Sequence, residues 1–353
     1  MRLAICVLVL SLVWPSLAQE EQEAKTFRAT VNVVVVPTVV TDRDGRYVAG
    51  LKPTDFRLFD NGKLQDIKVD EIYQPLSMVM VVQADAAMES VLPKVQKIGP
   101  MLSPLVAGQS GEVAVMSFDH RIQVLQDFTS DPDKLKEAMG KLRAGGEYSR
   151  MKDAVRDAVR MLSKRPQTNR RVILYIGETR DKSSSGKTRE ILAEIQLHNI
   201  MVYSVNVNRL VTTLTKKAPP PRPDPVPAGG RHVPPGVANI PTNTANLGMP
   251  TGSVIPLFIE IFKDVRDIFV RNPAETFTQF TGGREYSFVS QRDLETAVQA
   301  VGDDIRSQYM ISYNPNNKLE GGFHEIKVLV VRDGAERWKV RARPGYWMAA
   351  VPE

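Results

Sequence analysis

The stretch Met78-Val79-Met80-Val81-Val82-Gln83-Ala84-Asp85-Ala86-Ala87-Met88 decides the fold of this chain. From Met78 to Val82 it is apolar without alternation, and it then ends in a single acid among small residues. A short, valine-rich run of this kind reads as a strand covered on both faces, as in a parallel sheet.

Downstream, strand and helix patterns alternate, which is the signature of a mostly parallel sheet with helices on both sides. Val91, Val95, Ile98, Leu102 and Leu105 fall at helical spacing, and Val113 to Phe118 reads as the next strand. Leu135, Met139 and Leu142 mark a short helix after Asp131-Pro132, and Met151, Val155, Ala158, Val159 and Leu162 mark a longer amphipathic one. Val172 to Ile176 and Ile200 to Val207 read as buried strands around a helix from Thr188 to His198. Between Thr215 and Pro256, proline density precludes helix or interior strand, so an excursion is expected. An amphipathic helix over Leu257 to Val270 follows it. A helix from Ala274 to Phe280 stops at Gly282-Gly283; a strand near Tyr286 to Val289 and a helix through Leu294, Val298, Val301 and Ile305 complete the middle of the chain.

Both ends read as β structure. Thr26 to Val40 alternates, with Phe27, Ala29, Val31, Val33 and Val35 on one face. Asp44-Gly45 and Asn61-Gly62 supply turns around hairpin strands at Arg46 to Val48 and Phe56 to Phe59. Tyr309 to Tyr313, Phe323 to Val331 and Trp338 to Ala342 are strands separated by turn-rich segments. The expected organisation is a β unit over 26–74, an α/β domain over 75–307 carrying the 215–256 insert, and terminal strands over 308–347 that return to pack with the first unit.

Composition bounds the class. With 353 residues, 42% hydrophobic and 24% charged, the chain is long enough for about two folded domains. Met1-Arg2, the apolar Leu3 to Trp14 and Ser16-Leu17-Ala18 form a signal-peptide pattern, so residues 1–18 are expected to be removed on export, leaving no membrane span. The one cysteine, Cys6, lies within that leader, which excludes disulfides, thiol catalysis and zinc-cysteine sites from the exported chain. A cysteine-free exported chain of this size fits a bacterial periplasmic or extracellular location. The net charge of +6 is mild, and its basic groups lack the interleaved aromatics of a nucleic-acid platform.

Catalytic patterns are missing. Ser185-Gly186-Lys187-Thr188 resembles the tail of a phosphate-binding loop, but the required glycine position is Asp181. Gly108-Gln109-Ser110-Gly111 fails the spacing of a nucleophile elbow. His120, His198, His232 and His324 are scattered, without metalloprotease spacing. The sequence points away from an enzyme.

Thr41-Asp42-Arg43-Asp44-Gly45, Leu51-Lys52-Pro53-Thr54-Asp55-Phe56, Arg171-Val172-Ile173-Leu174-Tyr175, Thr281-Gly282-Gly283 and Gly345-Tyr346-Trp347 occur in an order and spacing that resembles the von Willebrand factor A-related proteins of acidobacterial genomes. The resemblance implies a doubly wound, mostly parallel sheet with a β-sandwich-like unit built from both termini. It also implies a crevice at the carboxyl ends of the central strands, where relatives hold Mg²⁺ with D-x-S-x-S, a threonine and an aspartate from three loops. Here Gln83 stands at the first aspartate, Asp85 and Ala87 at the two serines, Ser149 at the threonine and Glu178 at the second aspartate. Arg150 and Arg180 lie nearby in sequence, and an arginine can neutralise a carboxylate without an ion. The degenerate set leads to the expectation of no metal and no other cofactor, and of an exported, non-enzymatic module that binds a protein ligand. The alternative is a structural envelope protein that assembles through its terminal β unit.

Overall fold

The apolar run beginning at Met78 forms β5 (Leu76–Gln83), in which every residue is buried. The computed structural model describes residues 33–70, 74–102, 111–179, 181, 183–207, 272–317 and 320–348. The expected leader 1–18, the start of the first strand, Leu105, Arg180, the 215–256 excursion and the 257–270 helix lie outside the described residues.

β5 lies inside a six-stranded sheet in the order β10–β9–β8–β5–β6–β7. Its strands are β6 (Glu112–Phe118), β7 (Ile122–Thr129), β8 (Arg170–Gly177), β9 (Ile200–Val207) and β10 (Glu285–Phe288). All neighbours run parallel except β7, which pairs antiparallel with β6. Side chains of β5 alternate between two cores. Met78, Met80 and Val82 pack with Leu135, Leu294 and Val301 on one face. Val79 and Val81 pack with Val155, Ile195 and Phe277 on the other. This two-sided burial is why the run lacks alternation. The helices that supply the covers are α1 (Leu92–Gln96), α2 (Pro132–Gly140), α3 (Met151–Ser163), α4 (Thr188–Leu197), α5 (Pro273–Thr281) and α6 (Gln291–Arg306). No described helix is long and apolar enough to cross a membrane.

Several elements differ from the sequence reading: Arg46 to Val48 makes only an isolated bridge, Tyr47 to Thr41, in place of a hairpin strand, and Lys63–Leu64, Ile67–Asp70 and Gly345–Met348 form short strands that the sequence pattern does not mark. Up to Leu102, where the described segment ends, the helix expected through 91–105 is α1 followed by a 3-10 turn at Gly99–Leu102. Pro93 occupies the first turn of α1, and Gly99-Pro100 then interrupts it. The edge strand β7 was not anticipated, because it is half exposed and irregular, and its pairing with β6 shifts register around Val115.

Strands from the two ends of the chain interleave. β1 (Val34–Thr41) lies between β11 (Tyr309–Tyr313) and β13 (Lys339–Arg341), and β4 (Ile67–Asp70) completes that sheet. The other sheet runs β14–β12–β2–β3, from β14 (Gly345–Met348), β12 (Gly322–Val330), β2 (Phe56–Asp60) and β3 (Lys63–Leu64). Val36, Ile311 and Tyr313 of the first share one core with Leu58, Val328 and Tyr346 of the second, giving a small β-sandwich.

A polar cluster is built into this sandwich. Asp60 and His324 are both fully buried. Asp60 Oδ1 accepts from His324 Nδ1 at 2.7 Å and Asn317 Nδ2 at 3.1 Å, and Oδ2 accepts from the hydroxyls of Tyr313 at 2.7 Å and Tyr346 at 2.9 Å. His324 Nε2 faces the Glu320 carbonyl at 2.6 Å. With an acceptor at each ring nitrogen, His324 is an imidazolium. Burial opposes that charge, but the Asp60 and Glu320 bonds outweigh it and raise the His324 pKa. Burial likewise pushes against the Asp60 charge, and its four donors overcome it, leaving its pKa lowered.

The sandwich is fastened to the α/β layer by Arg341 of β13. Its guanidinium bonds Asp304 of α6, at 2.6 Å to Oδ2, and the carbonyls of Gly282 and Gly283 after α5. Asp304, fully buried, also accepts from the Tyr203 hydroxyl at 2.6 Å. Gly283 lets the segment after α5 lie against β9, since a Cβ there would lie 1.8 Å from the Val202 carbonyl oxygen. Gly283→Ala is therefore expected to cost about 3 kcal/mol through overpacking, read as a lowered urea midpoint with unchanged slope.

Candidate functional site

Strand order reverses at β5, which has β6 on one side and β8 on the other. In open α/β sheets the crevice beyond the carboxyl ends at such a point is where ligands bind. Three loops meet there: 84–91 after β5, 145–150 before α3, and 178–187 after β8.

The first two loops are joined by backbone. Ala84 N donates to the Phe118 carbonyl at 2.8 Å, Gly145 N to the Ala84 carbonyl at 2.7 Å, and Ala86 N to the Gly146 carbonyl at 2.9 Å. Asp119, at the end of β6, receives Arg121 N at 2.6 Å and Gly146 N at 2.8 Å. Burial works against its charge, yet these amide bonds prevail and hold its carboxyl below the usual range. Gly145 has no space for a side chain, because a Cβ would lie 1.9 Å from Asp119 Oδ2.

One side-chain amide joins the first loop to the third. Gln83, fully buried at the end of β5, donates from Nε2 to Asp85 Oδ2 at 3.0 Å. Its Oε1 accepts from Glu178 N at 2.7 Å. The Tyr175 hydroxyl lies 3.2 Å from the same oxygen and also contacts the Glu178 carbonyl, so its one proton serves one of them at a time. Burial first, then the charges of Asp85, Glu178 and Asp181, push the Tyr175 phenol well above its ordinary value, so it remains protonated. At Gly177 a Cβ would be 2.6 Å from Gln83 Oε1 and 2.7 Å from the Tyr175 hydroxyl, so glycine is required for the amide to sit there.

Asp153, in the first turn of α3, joins the second loop to the third. Its Oδ2 accepts from Arg150 Nη2 at 2.7 Å, Arg150 Nε at 3.0 Å and Ser185 N at 3.0 Å. Its Oδ1 accepts from Gly186 N at 2.9 Å and Arg156 Nη2 at 3.0 Å. Burial opposes this charge too, but the donors lower the Asp153 pKa. The segment 185–188, which looked like part of a phosphate loop, thus turns its amides on an internal carboxylate and then starts α4. Beside it, Lys152 Nζ pairs with Asp181 Oδ2 at 3.2 Å.

Of the residues singled out in the sequence, Gln83, Asp85 and Glu178 meet through the Gln83 amide. Ser149 is buried, and its carbonyl receives Ser183 N and Oγ, both at 3.2 Å. Ala87 is half-buried and brings only a methyl group. Arg150 reaches Asp153. Asp153 was not singled out in the sequence; the signal was the spacing Arg150-x-x-Asp153-x-x-Arg156, which puts two guanidinium groups one helical turn either side of an acid. At the rim of the second loop Tyr148 is 61% exposed.

Residues 78–179 match the family model of the von Willebrand factor type A domain. Similar solved structures include an aerotolerance-related membrane protein from Bacteroides fragilis NCTC 9343, at 14% identity over 65% of this chain and 98% of that one, with a TM-score of 0.38. BatB from Bacteroides thetaiotaomicron is 12% identical over 65% of this chain and 99% of that one, with a TM-score of 0.39. The vWF domain of the type V pili tip protein Mfa5 from Porphyromonas gingivalis is 19% identical, with a TM-score of 0.26; the match covers 30% of this chain and 38% of that one. No curated protein matches the chain.

Proposed function

Because this chain carries a von Willebrand factor type A domain, we propose that it is an exported, non-enzymatic module that binds another protein at its crevice, and that hydrogen bonds rather than a metal ion hold the crevice in shape. The Gln83 amide carries this reading. A Mg²⁺ site needs hard oxygens in near-octahedral array, with carboxylates to offset the charge. At position 83 the amide NH₂ is turned to Asp85 and the amide oxygen is engaged by Glu178 N. Ala87 has no donor atom to give. These residues do not fit the ion, and the same amide bridges the loops that an ion would bridge.

Export rests on the pattern of residues 1–18. We divide the rest into a β unit of 26–74 with 308–347 and the domain 75–307 with its insert. Assembly of an envelope structure through the β unit is the weaker alternative, because its edge strands β3, β13, β4 and β14 are only 2, 3, 4 and 4 residues long, which blunts strand addition.

The test uses protein expressed from the full sequence. Titration with Mg²⁺ or Mn²⁺ is expected to give no saturable heat, whereas Gln83→Asp with Ala87→Ser, which restores an acid and a hydroxyl, is expected to gain binding. Capture of partner proteins from an envelope extract is expected to persist in EDTA and to fall about tenfold or more with Tyr148→Ala, as for an exposed aromatic anchor. Saturable metal binding by the parent protein that disappears in Asp85→Ala with Glu178→Ala would overturn the metal-free reading. Capture unaffected by Tyr148→Ala would move the binding face away from this rim.

A further inference from the structure

We propose that the junction of the sandwich with the α/β layer binds a small halide, of which chloride is the common example, against the guanidinium of Arg343. Arg343 lies between β13 and β14 and is only 5% exposed. Among the described residues no carboxylate comes within ion-pair distance of it, and its Nε has no hydrogen-bond partner. What faces it is the ring of Tyr346, with the guanidinium carbon 5.4 Å from the centroid.

The acid that acts on Arg343 from further away is Asp60, and both of its oxygens are already taken by His324, Asn317, Tyr313 and Tyr346. Glu320 is paired with Lys63. Burial pushes the phenols of Tyr313 and Tyr346 far up, so neither carries charge. One carboxylate therefore faces two cations, His324 and Arg343, and the buried cluster holds one positive charge in excess. Burial weighs against the Arg343 charge. A lysine could relieve that cost by losing its proton, but a guanidinium remains charged. A buried charge with no acid beside it among the described residues is expensive, so the site favours a monovalent anion.

There is room for one. A cavity of about 10 Å³ opens beside Arg343 between Gln196, Asn199 and Thr281, with Val35 and Pro37 forming apolar wall. That is enough for a single water-sized occupant and too little for a carboxylate group. Gln196 Nε2 already donates to the carbonyls of Phe280 and Gly345, at 3.2 and 3.4 Å. A water would serve the partnerless Gln196 Oε1 but would leave the charge excess in place.

Chloride dependence separates the two occupants. With protein expressed from the full sequence at constant ionic strength, replacing methanesulfonate by chloride at about tenfold excess over its dissociation constant is expected to raise the melting temperature by about 3 °C. Arg343→Met is expected to melt alike in both salts. Crystals soaked in bromide should give an anomalous peak within hydrogen-bond distance of the guanidinium, a readout that stands even if the variant does not fold. Equal melting of the parent protein in both salts, or a bromide soak with no peak at Arg343, would overturn the proposal.

Discussion

Asp60→Ala is expected to destabilise the fold by about 3–5 kcal/mol, the usual consequence of leaving one partner of a buried ion pair alone. The variant would strand the His324 imidazolium and the Tyr313, Tyr346 and Asn317 donors at the centre of the sandwich. The same pair makes stability depend on pH in a defined direction. Folding raises the His324 pKa, so its contribution is complete below the unfolded value of about 6.5 and is lost as pH rises through the higher folded value. Folding lowers the Asp60 pKa, so its contribution is present above about 3.9 and is lost as pH falls through the folded value. Urea midpoints of the parent protein should therefore be highest between about pH 4 and 6.5 with respect to this pair, declining into the alkaline range. His324→Gln should flatten that alkaline decline. A parent protein whose midpoint rises steadily from pH 6 to 9 would show that His324 is neutral when folded.

Asp153→Ala is expected to cost about 2–3 kcal/mol, by leaving the amides of Ser185 and Gly186 and the partly exposed Arg150 and Arg156 without their shared acceptor. Its distinguishing mark is local. The third loop is held to α3 by this carboxylate, so hydrogen exchange at Ser185 and Gly186 should accelerate more than exchange in β5 or β8. Asp153→Asn keeps the shape but can accept at only one oxygen, so it should retain part of the stability and slow the loop exchange relative to alanine. Uniform acceleration across the whole sheet would mean that the residue acts only on global stability. Because the folded Asp153 pKa is depressed, this contribution is present above the unfolded carboxylate value and fades only as pH falls through the folded one.

The central sheet was legible because its signal is local. Met78 to Val82, Val172 to Ile176 and Ile200 to Tyr203 are buried on both faces, and that burial is written as unbroken apolar sequence. Helices such as α3 and α6 were readable for the same reason, since one face of each is apolar at helical spacing. Where local signals conflicted, the reading failed: Pro93 and Gly99-Pro100 cut short a helical pattern, and β7 is an edge strand whose half-exposed residues do not alternate. In the site, the positions of Gln83, Asp85, Ser149 and Glu178 were assigned through the resemblance to the family's three-loop pattern. Their roles could not, because the orientation of the Gln83 amide depends on Glu178, 95 residues away.

The sequence by itself thus determined the doubly buried strands of the central sheet and the amphipathic helices, because periodicity and burial act over a few residues at a time; the family resemblance added that an unusual set of residues stands at the carboxyl end of β5. Only the tertiary structure decided which groups become partners: Asp60 with His324 across 264 residues, Arg341 with Asp304, and Arg343 with no acid in ion-pair distance among the described residues. The pairing of buried charges depends on distances of a few ångströms between elements far apart in the chain, and those distances exist only once the sheets have closed on their cores.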